Sequence, residues 1–131
     1  MITLFHLTWD CNLPSILASG LRPNFRPNKW KINAANNRSR ATTFLCTKAR
    51  TGYWDMTYRD GWVERPTPGA RLVWLRVRVP KHSLVPDRAR GEDYRGDFRC
   101  ACVISPVQIR PFTRSDYAAC HITEDVRKVA D

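Results

Sequence analysis

An α+β domain is expected from three observations. Alternating apolar runs mark strands in both halves of the chain, a short capped helix follows the first of them, and the order is strand, helix, loop, strand, helix and then mostly strands. That order suits a split sheet with helices against it better than a strictly alternating βαβ chain. The 131 residues match the commonest domain size of about 100 to 150 residues, so residues 1–131 are read as a single domain with one core. Apolar residues make up 43% and charged residues 26%, close to globular averages of about 45–50% and about 25%, which argues against global disorder.

The elements follow in order. Ile2–Trp9 is a first strand with Leu4 and His6 on one face and Phe5 and Leu7 on the other. Asn12 is a good N-cap, Pro14 sits in the first turn where its missing N–H is harmless, Leu13, Ile16 and Leu17 form a stripe, and Gly20 ends the helix. Residues 21–40, rich in Arg, Asn, Pro and Lys, read as a long basic loop, and loops of that length are usually functional or mobile. ATTFLCT is a short strand, and KARTGYWDMTYRDGW after it reads as a helix carrying Tyr53, Trp54, Met56, Tyr58 and Trp62. ERPTPG is a turn. RLVWLRVRV is the clearest strand, with Val73, Leu75, Val77 and Val79 alternating with Leu72, Trp74, Arg76 and Arg78, and Pro80 ends it. Residues 85–97 are polar and punctuated by glycine, FRCACVI returns to strand character, SPVQI turns, IRPF continues briefly, and HITEDVRKVAD is a weak polar helix or tail. No internal repeat or low-complexity tract is present.

Charge narrows the partner. The net charge is +10, and 17 of the 22 basic residues are arginine, whose planar fork binds phosphate bidentately and stacks on bases. Between Cys11 and Trp54 there is no acid, while Arg22, Arg26, Lys29, Lys31, Arg38, Arg40, Lys48 and Arg50 are all basic. A polyanion, nucleic acid above all, is the expected partner, with Arg22, Arg26, Lys29, Lys31 and Arg38 as the phosphate contacts; a merely solvated basic loop is the bland alternative. No apolar run approaches the ~18 residues that span a bilayer, and MITLFHLTWD lacks the features of a signal peptide. A cytoplasmic monomer without membrane contact is expected. The five cysteines suit a reducing compartment. Cys100-x-Cys102 with Cys120-His121 lacks zinc-finger spacing, so no metal is expected and these read as ordinary thiols.

The chain lacks G-x-S-x-G, a P-loop and G-x-G-x-x-G, so serine hydrolase and Walker-type ATPase chemistry have little support. What it does have is H-x-T on the first strand (His6, Thr8) followed by N-L-P-S-I-L-x-x-G-L. This stretch resembles the amino-terminal motif of the ADP-ribosyltransferase superfamily, most closely the DarT-type nucleic-acid ADP-ribosyltransferases. The resemblance covers roughly residues 4–110 and implies a small split β-sheet with helices flanking an NAD cleft. It assigns His6 to the adenosine ribose and Thr8 to the nicotinamide side. TTFLCT with KARTGYW is similar to the family's second motif and implies Phe44 and Tyr53 as aromatic contacts to NAD. RGDFRCACVISPVQI has the shape of the third, which implies Asp97 as the catalytic acid, where most members have Glu and some, the rifamycin-modifying enzymes among them, have Asp. Glu92 is the reserve acid. Arg22, Arg40 and Arg50 stand as unranked partners of the pyrophosphate.

Breaking the bond between nicotinamide and ribose develops positive charge on the sugar, which a carboxylate can stabilise while aromatic and histidine contacts hold the geometry. The expected activity is therefore NAD-dependent ADP-ribosylation of nucleic acid, DNA or RNA, with NAD consumed as substrate. The resemblance further implies a toxin or an effector of conflict between bacteria and phage, with a cognate antitoxin or immunity protein as partner. Two alternatives stay open: an RNA 2′-phosphotransferase-like enzyme, which shares the fold, and a catalytically degenerate nucleic-acid-binding domain.

Overall fold

Leu72–Val79, where alternation is cleanest in the sequence, is also the most buried strand. Val73, Leu75, Val77 and Val79 project to one side and Leu72 and Trp74 to the other, and all six are buried. Branched and aromatic residues suit a strand covered on both faces. The structure, a computed structural model describing residues 1–23, 42–87, 96–120 and 122, builds a six-stranded sheet around it. The strands are β1 (Ile2–Trp9), β2 (Thr43–Cys46), β3 (Leu72–Val79), β4 (Leu84–Pro86), β5 (Asp97–Cys100) and β6 (Ile109–Pro111). They lie in the order β4-β5-β2-β1-β3-β6, every neighbouring pair antiparallel. Among the described residues three α-helices, α1 (Leu13–Ser19), α2 (Thr51–Arg59) and α3 (Arg114–Ala119), complete an α+β arrangement.

Each face of the sheet carries apolar packing. On one side Leu4, Leu45, Val73, Leu75, Val77, Val79, Cys100 and Ile109 pack with Ile16 of α1 and with Leu21 and Ile104, which bridge to each other. On the other Leu7, Trp9, Cys46, Leu72, Trp74 and Phe112 receive Trp54 and Tyr58 from α2 and Tyr117 from α3. The single expected core is thus divided by the sheet into two.

Pairing along the sheet is uneven. β1 opposes β3 at every position from Ile2 against Val79 to Trp9 against Leu72, whereas β1 opposes β2 only at Phe5 against Cys46. The sheet therefore consists of two halves, β1-β3-β6 and β2-β5-β4, that meet at one pair and diverge beyond it.

Several expectations need correction. In α1 only Ile16 of the stripe is buried, while Leu17 is 42% exposed. The second helix is shorter than the aromatic run implied, because Lys48–Arg50 forms a 3₁₀ turn and the chain leaves the helix at Asp60. The strand expected over FRCACVI ends at Cys100, after which Ile104 makes an isolated bridge instead. Two elements were not anticipated: β4, which pairs with β5, and α3, started by a capping box between Thr113 and Asp116. The expected helix or tail over HITEDVRKVAD lies outside the described residues apart from Ile122. Among the described residues no helix is long and apolar enough to cross a membrane.

Candidate active site

A pocket opens where β1 and β2 diverge. Phe5, His6 and Leu7 line it from β1, Phe44, Leu45 and Cys46 from β2, Trp54 and Tyr58 from α2, and Asp97 from the start of β5. Its volume is about 30 Å³, room for one or two waters.

His6 spans the gap. Its Nδ1–H donates to the Phe44 carbonyl at 2.7 Å. A carbonyl only accepts, so in this bond the proton sits on Nδ1. The bond stands where the two strands no longer pair, so the side chain ties β1 to β2 in place of ladder bonds. Thr8 is buried and accepts from Asn12 Nδ2 at 3.2 Å. Asn12 occupies the N-cap of α1 but makes no side-chain capping bond there, so its amide fastens the helix to β1. Both polar residues of the H-x-T strand thus have partners within the protein.

Asp97 is 4% exposed and accepts three hydrogen bonds. Arg50 donates from Nε to Oδ1 at 3.2 Å and from Nη2 to Oδ2 at 2.9 Å, and the Trp54 indole donates to Oδ1 at 2.8 Å. Two-point pairing with a guanidinium fixes the carboxylate plane as well as its position. The approach depends on Gly96, which has φ +96° and whose carbonyl accepts from the Thr47 N–H. A Cβ there would lie 2.5 Å from Thr47 Oγ1, so only glycine lets the chain close on Arg50 and deliver Asp97 to the pocket. The Arg50 guanidinium also lies 4.2 Å from the centre of the Tyr53 ring.

Around the acid the pocket is apolar. Phe44 and Trp54 have ring centroids 6.4 Å apart with planes inclined by 35°. Burial, reinforced by the Asp97 charge, raises the Cys46 thiol far above its ordinary range, so it stays protonated and is a poor nucleophile. Burial likewise raises the Tyr58 hydroxyl.

Of the residues singled out in the sequence, His6, Phe44 and Asp97 come together in this pocket. Thr8 stands behind it, bonded to Asn12, and Tyr53 sits under Arg50 while its neighbour Trp54 lines the wall. Tyr58, one helical turn beyond Trp54, lines it too; the i, i+4 spacing of that pair was the signal that separates them from Tyr53. Arg50 serves the acid directly. Arg22 is exposed just after the Leu21 bridge. Glu92, Arg26, Lys29, Lys31, Arg38 and Arg40 lie outside the described residues. The sequence reading passed over Arg99. It stands opposite Phe44 and two residues along β5 from Asp97, hence on the same face of the sheet. Its buried Nε has no hydrogen-bond partner among the described residues. Compared with known proteins, the chain matches no family model, no curated protein and no solved structure.

Proposed function

We propose that this protein is an NAD-dependent ADP-ribosyltransferase acting on nucleic acid. The observation that carries this reading is the meeting of His6, Phe44 and Asp97, from three separate strands, in one pocket at the seam of the sheet. Those are residues that the sequence resemblance gave to NAD, and none of them is near another in the chain.

The lining suits the substrate's parts. Two ring contacts of about 3.5 Å put a flat heterocycle between Phe44 and Trp54 when their centroids stand about 7 Å apart, slightly more than the present 6.4 Å. Entry of a nicotinamide therefore requires the tilted pair to open and align, which the small pocket volume also demands. His6 lines the same pocket, held in place by its bond to the Phe44 carbonyl, and Arg99, with its unpartnered Nε, offers a cation to a diphosphate. When bound, NAD supplies a glycosidic bond whose breaking charges the ribose positively. The Asp97 carboxylate, held in place beforehand by Arg50 and Trp54, is the group able to meet that charge without reorganising. The excess of arginine supports nucleic acid as the acceptor.

The test is to incubate the protein with NAD and with DNA or RNA oligonucleotides, following nicotinamide release and oligonucleotide mass. A gain of one ADP-ribose, lost in Asp97→Asn, is expected. The close ion pair with Arg50 favours a second reading, a domain that binds nucleic acid and no longer turns over NAD, and oligonucleotide binding with no nicotinamide released would establish it instead.

A further inference from the structure

One row of residues crosses five strands on the pocket side of the sheet. Asp97 stands opposite Cys46, Cys46 opposite Phe5, Phe5 opposite Arg76, and Arg76 opposite Arg110. Directly opposed residues project to the same face, so the row leads from the pocket acid through two of its lining residues to a pair of arginines. Arg78, two positions beyond Arg76, projects to that face as well and is exposed.

Two cations placed directly across a sheet weaken the pairing. Arg110 is offset by Asp116, whose Oδ2 lies 2.8 Å from its Nη1. Neither Arg76 nor Arg78 has a side-chain hydrogen bond or ion pair among the described residues. Leu72 and Trp74, earlier on the same face of β3, are covered by helices, but the arginines begin where that cover stops. A positively charged, partly open surface thus continues from the pocket along the sheet.

We propose that Arg76 and Arg78, beside Arg110, form the docking surface for the sugar-phosphate backbone of the nucleic-acid acceptor. This rests on the proposed function and adds the path along which the acceptor lies. Three strand spacings separate Asp97 from Arg76, about 14 Å at ~4.8 Å each. A stacked strand rises about 3.4 Å per nucleotide, so the arginines grip phosphates about four nucleotides from the position presented to the pocket. Charge complementarity selects the occupant: guanidinium forks without carboxylate partners match phosphodiester oxygens in geometry and sign.

Arg76→Gln/Arg78→Gln in the full chain tests it. Binding of fluorescent single-stranded and duplex 20-mers of DNA and of RNA is measured across a salt series, beside NAD consumption without acceptor and the melting temperature. With two fewer arginines neutralising phosphates, the log-log salt slope should become shallower by about 1.4 on single strands and about 1.8 on duplex. NAD consumption should be unchanged, and the melting temperature equal or higher because the Arg76 against Arg110 repulsion is gone. Oligonucleotides of two or three nucleotides should bind both proteins equally. An unchanged slope on the 20-mers would overturn the docking surface while leaving the nucleic-acid reading intact. Failure of the parent protein to bind any 20-mer would overturn both, and loss in the variant of binding to anionic phospholipid vesicles alone would overturn the docking surface. A fallen melting temperature would assign the arginines to the fold and overturn the proposal; Arg76→Lys/Arg78→Lys, which keeps the charge, should then share that fall.

Discussion

Asp97 joins three parts of the chain through one carboxylate, and this changes what its replacement is expected to do. Read from the sequence, Asp97→Asn should alter only chemistry. In the structure the same substitution leaves the Arg50 guanidinium, itself 17% exposed, without its counter-charge, and breaking one side of such a pair costs about 3 kcal/mol or more. The expected result is therefore a lowered melting temperature together with nicotinamide release reduced by about 100-fold or more at saturating NAD, the scale of about 2.7 kcal/mol in the barrier. The two effects are separated by assaying well below the melting transition, where the protein is still folded. Arg50→Gln combined with Asp97→Asn should lose less stability than the sum of the single changes; full additivity would show that the pair does not couple. Gly96 gives a second check. Gly96→Ala forces a side chain into positive φ and against Thr47, and should cost about 2 kcal/mol or more in denaturant unfolding. The contacts of Arg50 and Trp54 with the acid were hidden from a reading of the sequence because they depend on that bend and on β2 pairing with β5, and neither leaves a local pattern. His6, Phe44 and Asp97 were singled out by the resemblance of their motifs alone, which composition and periodicity would not have supplied.

Strong alternation made β1 readable to both end residues and β3 to within one, and the Asn-x-Pro start and Gly20 stop marked the ends of α1. Elements of three or four residues were harder. β4 was missed because LVP carries a proline and too few residues to show a period, and it is tolerated as an edge strand that pairs with β5 alone. α3 was missed although its start was written in the sequence: Thr113-Arg-Ser-Asp116 is the capping pattern, in which the Thr113 side chain accepts from the Asp116 N–H and the Asp116 carboxylate accepts from the Thr113 N–H. That cap makes the helix sensitive to acid. Burial alone would raise the Asp116 carboxyl, but the bond from the Thr113 N–H and the Arg110 guanidinium outweigh it and hold the group below its ordinary 3.8. A group whose folded value is depressed adds stability that is complete above its unfolded value and lost as pH falls through the folded one. Relative to Asp116→Asn, the parent protein should melt higher at pH 6, and the advantage should shrink as pH falls below the ordinary 3.8 and through the lowered folded value. An advantage that did not shrink with acid would show that the carboxylate is not what holds α3.

The way the two half-sheets are joined links the fold to the site. β1 and β3 share a full ladder, whereas β1 and β2 share one pair and the His6 bond to the Phe44 carbonyl. Local opening costs least where the ladder is thinnest, so the β2-β5-β4 half should move against the β1-β3-β6 half, with the pocket between them. The pocket widens with that motion, because Phe44 rides on one half and Phe5 and Leu7 on the other. Native-state hydrogen exchange measures it directly. The β2 amides that face β1 should exchange about tenfold or more faster than those paired between β1 and β3, and saturating NAD should slow the faster set. His6→Ala removes a bond worth about 1 kcal/mol and should speed exchange at β2 by about fivefold while leaving β3 and β6 unchanged, because the tie it cuts belongs to the seam alone. Uniform acceleration across all six strands would mean that the halves open only together, and the site would then have to form by some motion other than separation at the seam.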